Sequence, residues 1–498
     1  MNRSKFHYCP PDGCVGDVVP FYWQGVYHVF YLEGQLDAWR RVRYTPYRHL
    51  VSTNLVDWTE LEVALPLGGP DDIDMSLGTG TILERGGVFY LLYCGRVFAG
   101  ERRPDNPHWE VSATETVCLA TSTDLVHWTK DPANPILRPD GATYALSDFR
   151  DPFPFWNAQE GCYWMLVAAK ALGEVRPGAL ALAVSTDLVR WTLRAPFLAP
   201  NLSHMPPECP DIFQVGQRWY CYFSSDGRTM LRWADALAGP WQRAHPDLND
   251  YWNVYALKTL FDGSRRFLMG WLAEKAGGGA GPRDHAQVEW GGSLLIPRQL
   301  EPLEPGGLAE TCPREVLDAC GAPLAAQVQA VTGDWAAFVD GSGRAGSLRA
   351  ERRDGFAHAL LEGVPALALV ELDVVFDEQA WTQGAAGVLF RASPDLSAFY
   401  ALRLEPARRR ALIERWPHCG EFSTLCERPL ETVPGARVHL QLFIDGDIAE
   451  AFVNGRFAMA CRIYDFPTGQ TALFAEYGAV DFENIRVRAL PAADAPGR

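Results

Sequence analysis

Five apolar runs studded with aromatic residues recur through the first part of the chain: GVYHVFYL (25 to 32), GVFYLLYC (87 to 94), GCYWMLVA (161 to 168), QRWYCYFS (217 to 224) and SRRFLMGW (264 to 271). Such runs predict strands. The stretches between them are rich in Gly and Pro and show no long helical periodicity. Five units imply five blades, so residues 1–300 are expected to form a five-bladed β-propeller. EPLEPGGLAETCPREVLDACGAP then predicts a linker over 301–325 with one short helix. Beyond it the pattern changes to strict alternation, as in Val438-His439-Leu440-Gln441-Leu442-Phe443-Ile444. With turns at Asp445-Gly446 and Asn454-Gly455, this predicts an antiparallel β-sandwich over 326–490 and a frayed tail at 491–498. The fold class is all-β.

A second repeat keeps step with the aromatic strands. Ser52-Thr53-Asn54-Leu55-Val56-Asp57-Trp58, Ser122-Thr123-Asp124-Leu125-Val126-His127-Trp128 and Ser185-Thr186-Asp187-Leu188-Val189-Arg190-Trp191 begin 70 and then 63 residues apart, and Trp233-Ala234-Asp235-Ala236-Leu237 is a decayed fourth copy. An Asn or Asp after Ser-Thr suits a tight turn, and the Leu and Trp can pack between units. These motifs are read as structural.

Three carboxylates share a phase within the repeat. Asp17 precedes Tyr27 by ten residues, Asp151 precedes Tyr163 by twelve, and Glu208 precedes Trp219 by eleven. In a radial arrangement, equivalent positions on different blades face one axis, so the three are expected to meet in one pocket.

Composition narrows the partners. With 48% apolar and 21% charged residues the chain is globular, and at 498 residues it is long enough for two cores. A net charge of −16 without a Lys/Arg block would repel nucleic acid and anionic membranes. No stretch has the length and apolarity of a membrane span, and MNRSKFHYCPPDG lacks a signal-peptide core, so a cytoplasmic protein is expected. The twelve cysteines are scattered without zinc-site spacing, and no metal or organic cofactor is expected.

Around the carboxylates the chain resembles glycoside hydrolase family 32, the invertase, inulinase and levanase group. FRDPFPF (149 to 155) is similar to the family's Arg-Asp-Pro motif, Glu208-Cys209-Pro210-Asp211 to its Glu-Cys motif, and Asp17 falls at its N-terminal Asp motif. Trp290 to Leu300 looks like the strand closing the propeller, and LFIDGDIAEAFVNGR (442 to 456) like part of the family's sandwich. The resemblance implies a retaining glycoside hydrolase acting on a fructofuranoside-like oligosaccharide or glycoside. Asp17 would be the nucleophile, Glu208 the acid/base, and Asp151 the residue that holds sugar hydroxyls and stabilises the transition state. Arg150 would offset the carboxylate repulsion or donate to a hydroxyl.

The pocket motifs depart from the family pattern. The Asn before the nucleophile is Gly16, a glutamine after the first aromatic strand is Leu32 followed by Glu33, Trp-Gly-His becomes Tyr47-Arg48-His49, and Phe-Ser-Gly-Ser becomes Gly78-Thr79-Gly80-Thr81. The substrate is therefore expected to be modified, differently linked or non-fructosyl. Tyr255 and Trp290 are expected to line the pocket with Arg150; Tyr47, His49, Thr79 and Trp39 are further substrate-binding candidates, and Tyr22 a further stacking face. Three alternatives stand beside this reading: a fructosyltransferase with the same trio, an inverting propeller glycosidase, and a sugar-binding protein without turnover.

Overall fold

The computed structural model describes residues 3–11, 13–34, 45–98, 113–225, 227–250, 254–275, 288–324, 327–339, 345–418 and 423–493. Residues 15–311 form a propeller of five blades, each of four antiparallel strands, with blades one and five joined into one nine-stranded sheet. Blade one is β1 (Val15–Trp23), β2 (Val26–Glu33), β3 (Tyr47–Ser52) and β4 (Thr59–Glu60). Blade two is β5 (Ser76–Arg85), β6 (Val88–Phe98), β7 (Ala113–Ser122) and β8 (Thr129–Lys130). Blade three is β9 (Tyr144–Asn157), β10 (Cys162–Ala171), β11 (Gly178–Ser185) and β12 (Thr192–Ser203). Blade four is β13 (Glu208–Val215), β14 (Arg218–Ser225), β15 (Arg228–Ala234) and β16 (Gln242–Asn249). Blade five is β17 (Val254–Phe261), β18 (Arg266–Lys275), β20 (Arg298–Leu303) and β21 (Gly307–Thr311), and β19 (Val288–Leu294) lies between β18 and β1, closing the ring.

Both faces of each blade are buried, which is why the second strands read as unbroken apolar runs. On β2, Val29 and Tyr31 pack toward blade five with Phe267 and Met269, whereas Phe30 and Leu32 pack toward blade two with Leu91 and Tyr93. The Ser-Thr-Asn/Asp repeats form the turns after the third strands. Ser122 Oγ and Asp124 Oδ1 accept backbone N–H bonds, Leu55, Leu125 and Leu188 hold φ of 63°, 65° and 71°, and the Trp128 and Trp191 indoles donate to the carbonyls of Leu125 and Leu188. The side-chain bonds and Leu burial hold a left-handed turn that Leu alone disfavours.

The boundary expected at 300 falls inside blade five, because β20 pairs with β18 and β21 with β20. Of the expected linker, the part after Thr311 holds the short helix α1 (Arg314–Ala319). The sandwich follows as β22 (Gln327–Thr332), β23 (Asp334–Val339), β24 (Ala345–Glu362), β25 (Ala368–Phe376), helix α2 (Glu378–Gln383), β26 (Ala385–Ala392), β27 (Phe399–Glu405), β28 (Arg410–Trp416), β29 (Thr424–Pro429), β30 (Arg437–Asp445), β31 (Ile448–Val453), β32 (Phe457–Arg462) and β33 (Gln470–Ala489). The long strands β24 and β33 run through both layers: β33 pairs with β26 near one end and with β25 along the other. Between the layers lies a core that includes Leu372, Val388, Leu402, Ile413, Leu440 and Leu473.

The tail is tied down through residue 493, contrary to expectation: Ala492 bridges to Ser4 and Lys5 N donates to the Pro491 carbonyl at 3.1 Å. Residues 494–498 lie outside the described residues.

Candidate active site

Each blade's innermost strand is irregular at the same depth. The ladder slips between Val15 and Val18 on β1, Gly78 and Gly80 on β5, Phe153 and Arg150 on β9, Glu208 and Asp211 on β13, and Tyr255 and Lys258 on β17. A bulge bends its strand and re-aims a side chain, and here the irregular positions include Asp17, Thr79, Asp151, Cys209 and Ala256. Asp151, Cys209 and Ala256 take positive φ of 58°, 50° and 53°, a sparsely populated region for non-glycine residues.

The bulges bring the three predicted carboxylates to one place. Thr79 Oγ1 donates to Asp17 Oδ2 at 2.5 Å and lies 3.8 Å from Cys209 Sγ, while the Cys209 N–H donates to Asp151 Oδ2 at 2.9 Å. The other Asp17 oxygen accepts from the Trp271 indole at 3.0 Å. Glu208, next to Cys209, is held on both oxygens: Arg150 Nε and Nη2 donate to Oε1 at 3.1 and 2.9 Å, and the Tyr255 hydroxyl donates to Oε2 at 2.5 Å. Asp151 is the deepest of the three at 2% exposure, and among the described residues its Oδ1 finds no donor.

Electrostatics follow from this crowding. Burial, with the like charges of Glu208 and Asp17, pushes the Asp151 carboxyl up to about 7 against the pull of Arg150. Burial likewise raises Asp17, although the bonds from Thr79 and Trp271 favour its charged form. A chain of charges spreads outward from Arg150, whose Nη1 binds Glu115 at 3.0 Å and Asp148 at 2.8 Å, and Glu115 in turn binds Arg96 at 2.9 Å. Burial works to raise Glu115, but Arg150 and Arg96 outweigh it and hold the carboxyl below its usual range. Behind the floor the Lys258 ammonium is buried against the Gly80 carbonyl at 2.6 Å and Thr81 Oγ1 at 2.9 Å, and burial lowers its pKa.

Trp290 takes the space left by Gly16. A Cβ at Gly16 would lie 2.0 Å from the Trp290 indole, so any side chain there, Asn included, collides with the ring. Tyr255, Trp271 and Trp290 form an aromatic wall with centroids 5.8 and 5.9 Å apart.

Of the remaining candidates, Thr79 and Tyr47 support the site from within the core, and His49 and Tyr22 lie away from it. Thr79 is fully buried and its hydroxyl is committed to Asp17. Tyr47 is also fully buried, with its hydroxyl donating to the Gly78 carbonyl at 2.8 Å, so it supports the floor and offers no open face. His49 does not reach the carboxylates. It stacks on Phe30 at 3.9 Å, bonds His28 at 2.9 Å between blades one and two, and burial lowers its pKa to about 3. Alternation along β3 puts it on the face of Tyr47, where the apolar core of the blade interface claims it. Tyr22 packs on Tyr27 at the far end of β1. Trp39 lies outside the described residues. Sequence reasoning missed Glu115, Arg96, Asp148, Trp271 and Lys258: Trp271 was counted only as part of an aromatic strand and Asp148 lies just before the Arg-Asp-Pro motif, while Glu115, Arg96 and Lys258 belong to no recurring motif. Among the described residues no cluster suited to a metal ion occurs, and no helix is long and apolar enough to cross a membrane.

Comparison with known proteins agrees with this architecture. A fructan 1-exohydrolase of Aegilops tauschii is 29% identical over 333 residues, 60% of this chain and 52% of that protein, so the chain spans about half the length of the curated relatives it matches. An exo-inulinase from Aspergillus awamori superposes with a TM-score of 0.73 at 18% identity, covering 99% of this chain and 98% of that one. A fructosyltransferase from A. japonicus superposes with a TM-score of 0.73 at 16% identity, covering 100% and 96%. Residues 7–307 match the profile described as glycosyl hydrolases family 32 N-terminal domain and residues 349–489 that of the family 32 C terminal. Propeller and sandwich alike thus carry the family's pattern, and the chain belongs to glycosyl hydrolase family 32.

Proposed function

We propose that this protein is a retaining glycoside hydrolase that cleaves a fructofuranoside-like oligosaccharide or glycoside. Asp17 attacks the anomeric carbon as the bond to the leaving oxygen breaks, Glu208 protonates that oxygen, and Glu208 then takes a proton from the water that hydrolyses the glycosyl-enzyme. Asp151 stabilises the transition state and receives sugar hydroxyls; its Oδ1 is buried and has no donor among the described residues. Thr79 and Trp271 fix the attacking carboxylate, and Arg150 and Tyr255 fix the acid/base. The observation that carries this reading is the convergence of three carboxylates from blades one, three and four on the bulged inner strands. In place of the family's Asn beside the nucleophile, the Trp290 ring presents an apolar surface, so the sugar hydroxyl met there in relatives is expected to be substituted or absent.

A hydrolysis screen of sucrose, inulin, levan, fructose dianhydrides and aryl pyranosides tests the proposal. Glu208→Gln is expected to lower kcat/KM by roughly 10²- to 10⁴-fold, and Asp17→Asn at least as much, with Tm preserved. Wild-type-like rates in either variant refute the assignment. Products longer than the substrate at high sugar concentration assign the same trio to transfer, the activity named for the A. japonicus structure. The described cysteines are free, the state a reducing compartment maintains; a cytoplasmic location belongs to the proposal and is tested by fractionation.

A further inference from the structure

Of the two outer faces of the sandwich, one is spent on the propeller. Leu369, Phe443 and Phe452 of β25, β30 and β31 dock on Phe6, Val56 and Ile296. The outer face of the other layer, crossing β24, β33, β26, β27, β28 and β29, holds a groove of about 660 Å³. Phe474, Leu389 and Ala401, each at 1% exposure, make its floor. Along it the rings lie nearly parallel in pairs: Phe399 with Trp416, centroids 6.0 Å apart and planes 8° apart, and Phe356 with Phe474, 5.9 Å and 21°. Trp416 is 41% exposed, and the register sets it directly opposite Phe399.

The polar lining is charged but balanced. Arg403 binds Glu476 through Nη1 and Nη2 at 2.9 and 2.5 Å, and the Nε atoms of Arg403 and Arg410 share Glu405 at 2.8 and 2.7 Å. Glu414 is paired with His418 at 3.2 Å, and Arg408 reaches Glu405 at 3.4 Å. Three arginines and three glutamates therefore cancel and hold one another in place.

We propose that this groove binds a neutral carbohydrate chain, separately from the carboxylate site. Flat aromatic faces receive the apolar faces of sugar rings, and the fixed guanidinium and carboxylate forks supply donors and acceptors for hydroxyls. Balanced charge gives neither a polyanion nor a polycation an advantage. The volume lies in the range of ligand sites, and six strands at about 4.8 Å spacing make a track roughly 24 Å long, enough for several sugar rings. The apolar floor is not explained by domain docking, which uses the opposite layer.

Affinity electrophoresis of the full chain in native gels containing inulin, levan, xylan or soluble starch tests this, with Asp17→Asn present so that the gel is not digested. Retardation by at least one of these polymers is expected, Trp416→Ala should weaken it at least fivefold without lowering Tm, and Trp416→Phe, which keeps a flat ring, should largely retain it. Absence of retardation in all four gels overturns the proposal, as does a Trp416→Ala variant retarded like its parent. A sugar-independent dimer in sedimentation that dissociates on Trp416→Ala also overturns it, by assigning the groove to a second copy of the chain.

Discussion

At the scale of single residues, the carboxylate site stores unfavourable electrostatics. Asp151 is buried and its carboxyl rises from the ordinary 3.8 to about 7. The sign of the resulting stability effect is fixed by that direction. Below about 3.8 the group is protonated whether folded or unfolded and costs nothing; between 3.8 and 7 the cost grows, and above 7 it is fully present. Asp151→Asn is therefore expected to raise Tm at pH 8 and to leave it nearly unchanged at pH 4, while activity falls at least a hundredfold at either pH. Thermal melts at the two pH values check the sign. The residues that make this site were partly legible: Asp17, Asp151 and Glu208 stood at one repeat phase, Arg150 stood in the Arg-Asp-Pro motif, and Tyr255 was expected only as an aromatic face of the pocket, not as the hydroxyl that bonds Glu208. Glu115 and Trp271 were not legible, because their role depends on which neighbouring blade they meet. His49 looked like a pocket residue by its motif, yet alternation turned it into the interface between blades one and two.

At the scale of elements, the inner-strand bulges deliver the chemistry. A regular strand alternates its side chains between the two blade interfaces, so an unbulged β1, β9 or β13 could not present its carboxylate to the axis. Cys209 shows what this costs: it sits at φ 50° with its N–H committed to Asp151 and its thiol between Asp151 and Thr79. Cys209→Val is expected to destabilise the protein by about 1–3 kcal/mol, since a β-branched residue is an outlier at positive φ. Cys209→Gly should preserve the backbone and most activity. Tm and kcat/KM of the pair check this, and a Val variant as stable and active as the Gly variant would refute a strained bulge. The blades themselves were legible from their apolar runs, whereas the bulges were not, because each is a one- or two-residue slip against a partner strand that the linear pattern does not specify.

At the scale of the whole molecule, propeller and sandwich are locked by buried charge. Arg298, fully buried at the start of β20 in blade five, binds Glu450 of the sandwich as well as Asp250 and Glu310 of the propeller at 2.6 to 2.9 Å. His7, from the start of the chain, bonds Asp445 at 2.6 Å and Glu450 at 3.1 Å. Burial works to lower the His7 pKa, but the two carboxylates outweigh it and hold it up at about 9. Its stabilisation is therefore complete below the ordinary 6.5 and lost as pH rises through 9. Wild-type Tm is expected to fall between these values, and His7→Gln to start lower and to show a flatter decline; parallel curves would remove His7 from the docking energetics. The sequence by itself determined the all-β class, the number of blades, the change from propeller to sandwich and the three carboxylates, because apolar spacing and repeat phase are local properties written along the chain. Only the tertiary structure decided which bulges turn inward, which ring fills the space at Gly16, which sandwich face docks and which stays open as a groove. Those outcomes depend on ring closure and on strands meeting across hundreds of residues, where packing and burial rather than local pattern set the geometry.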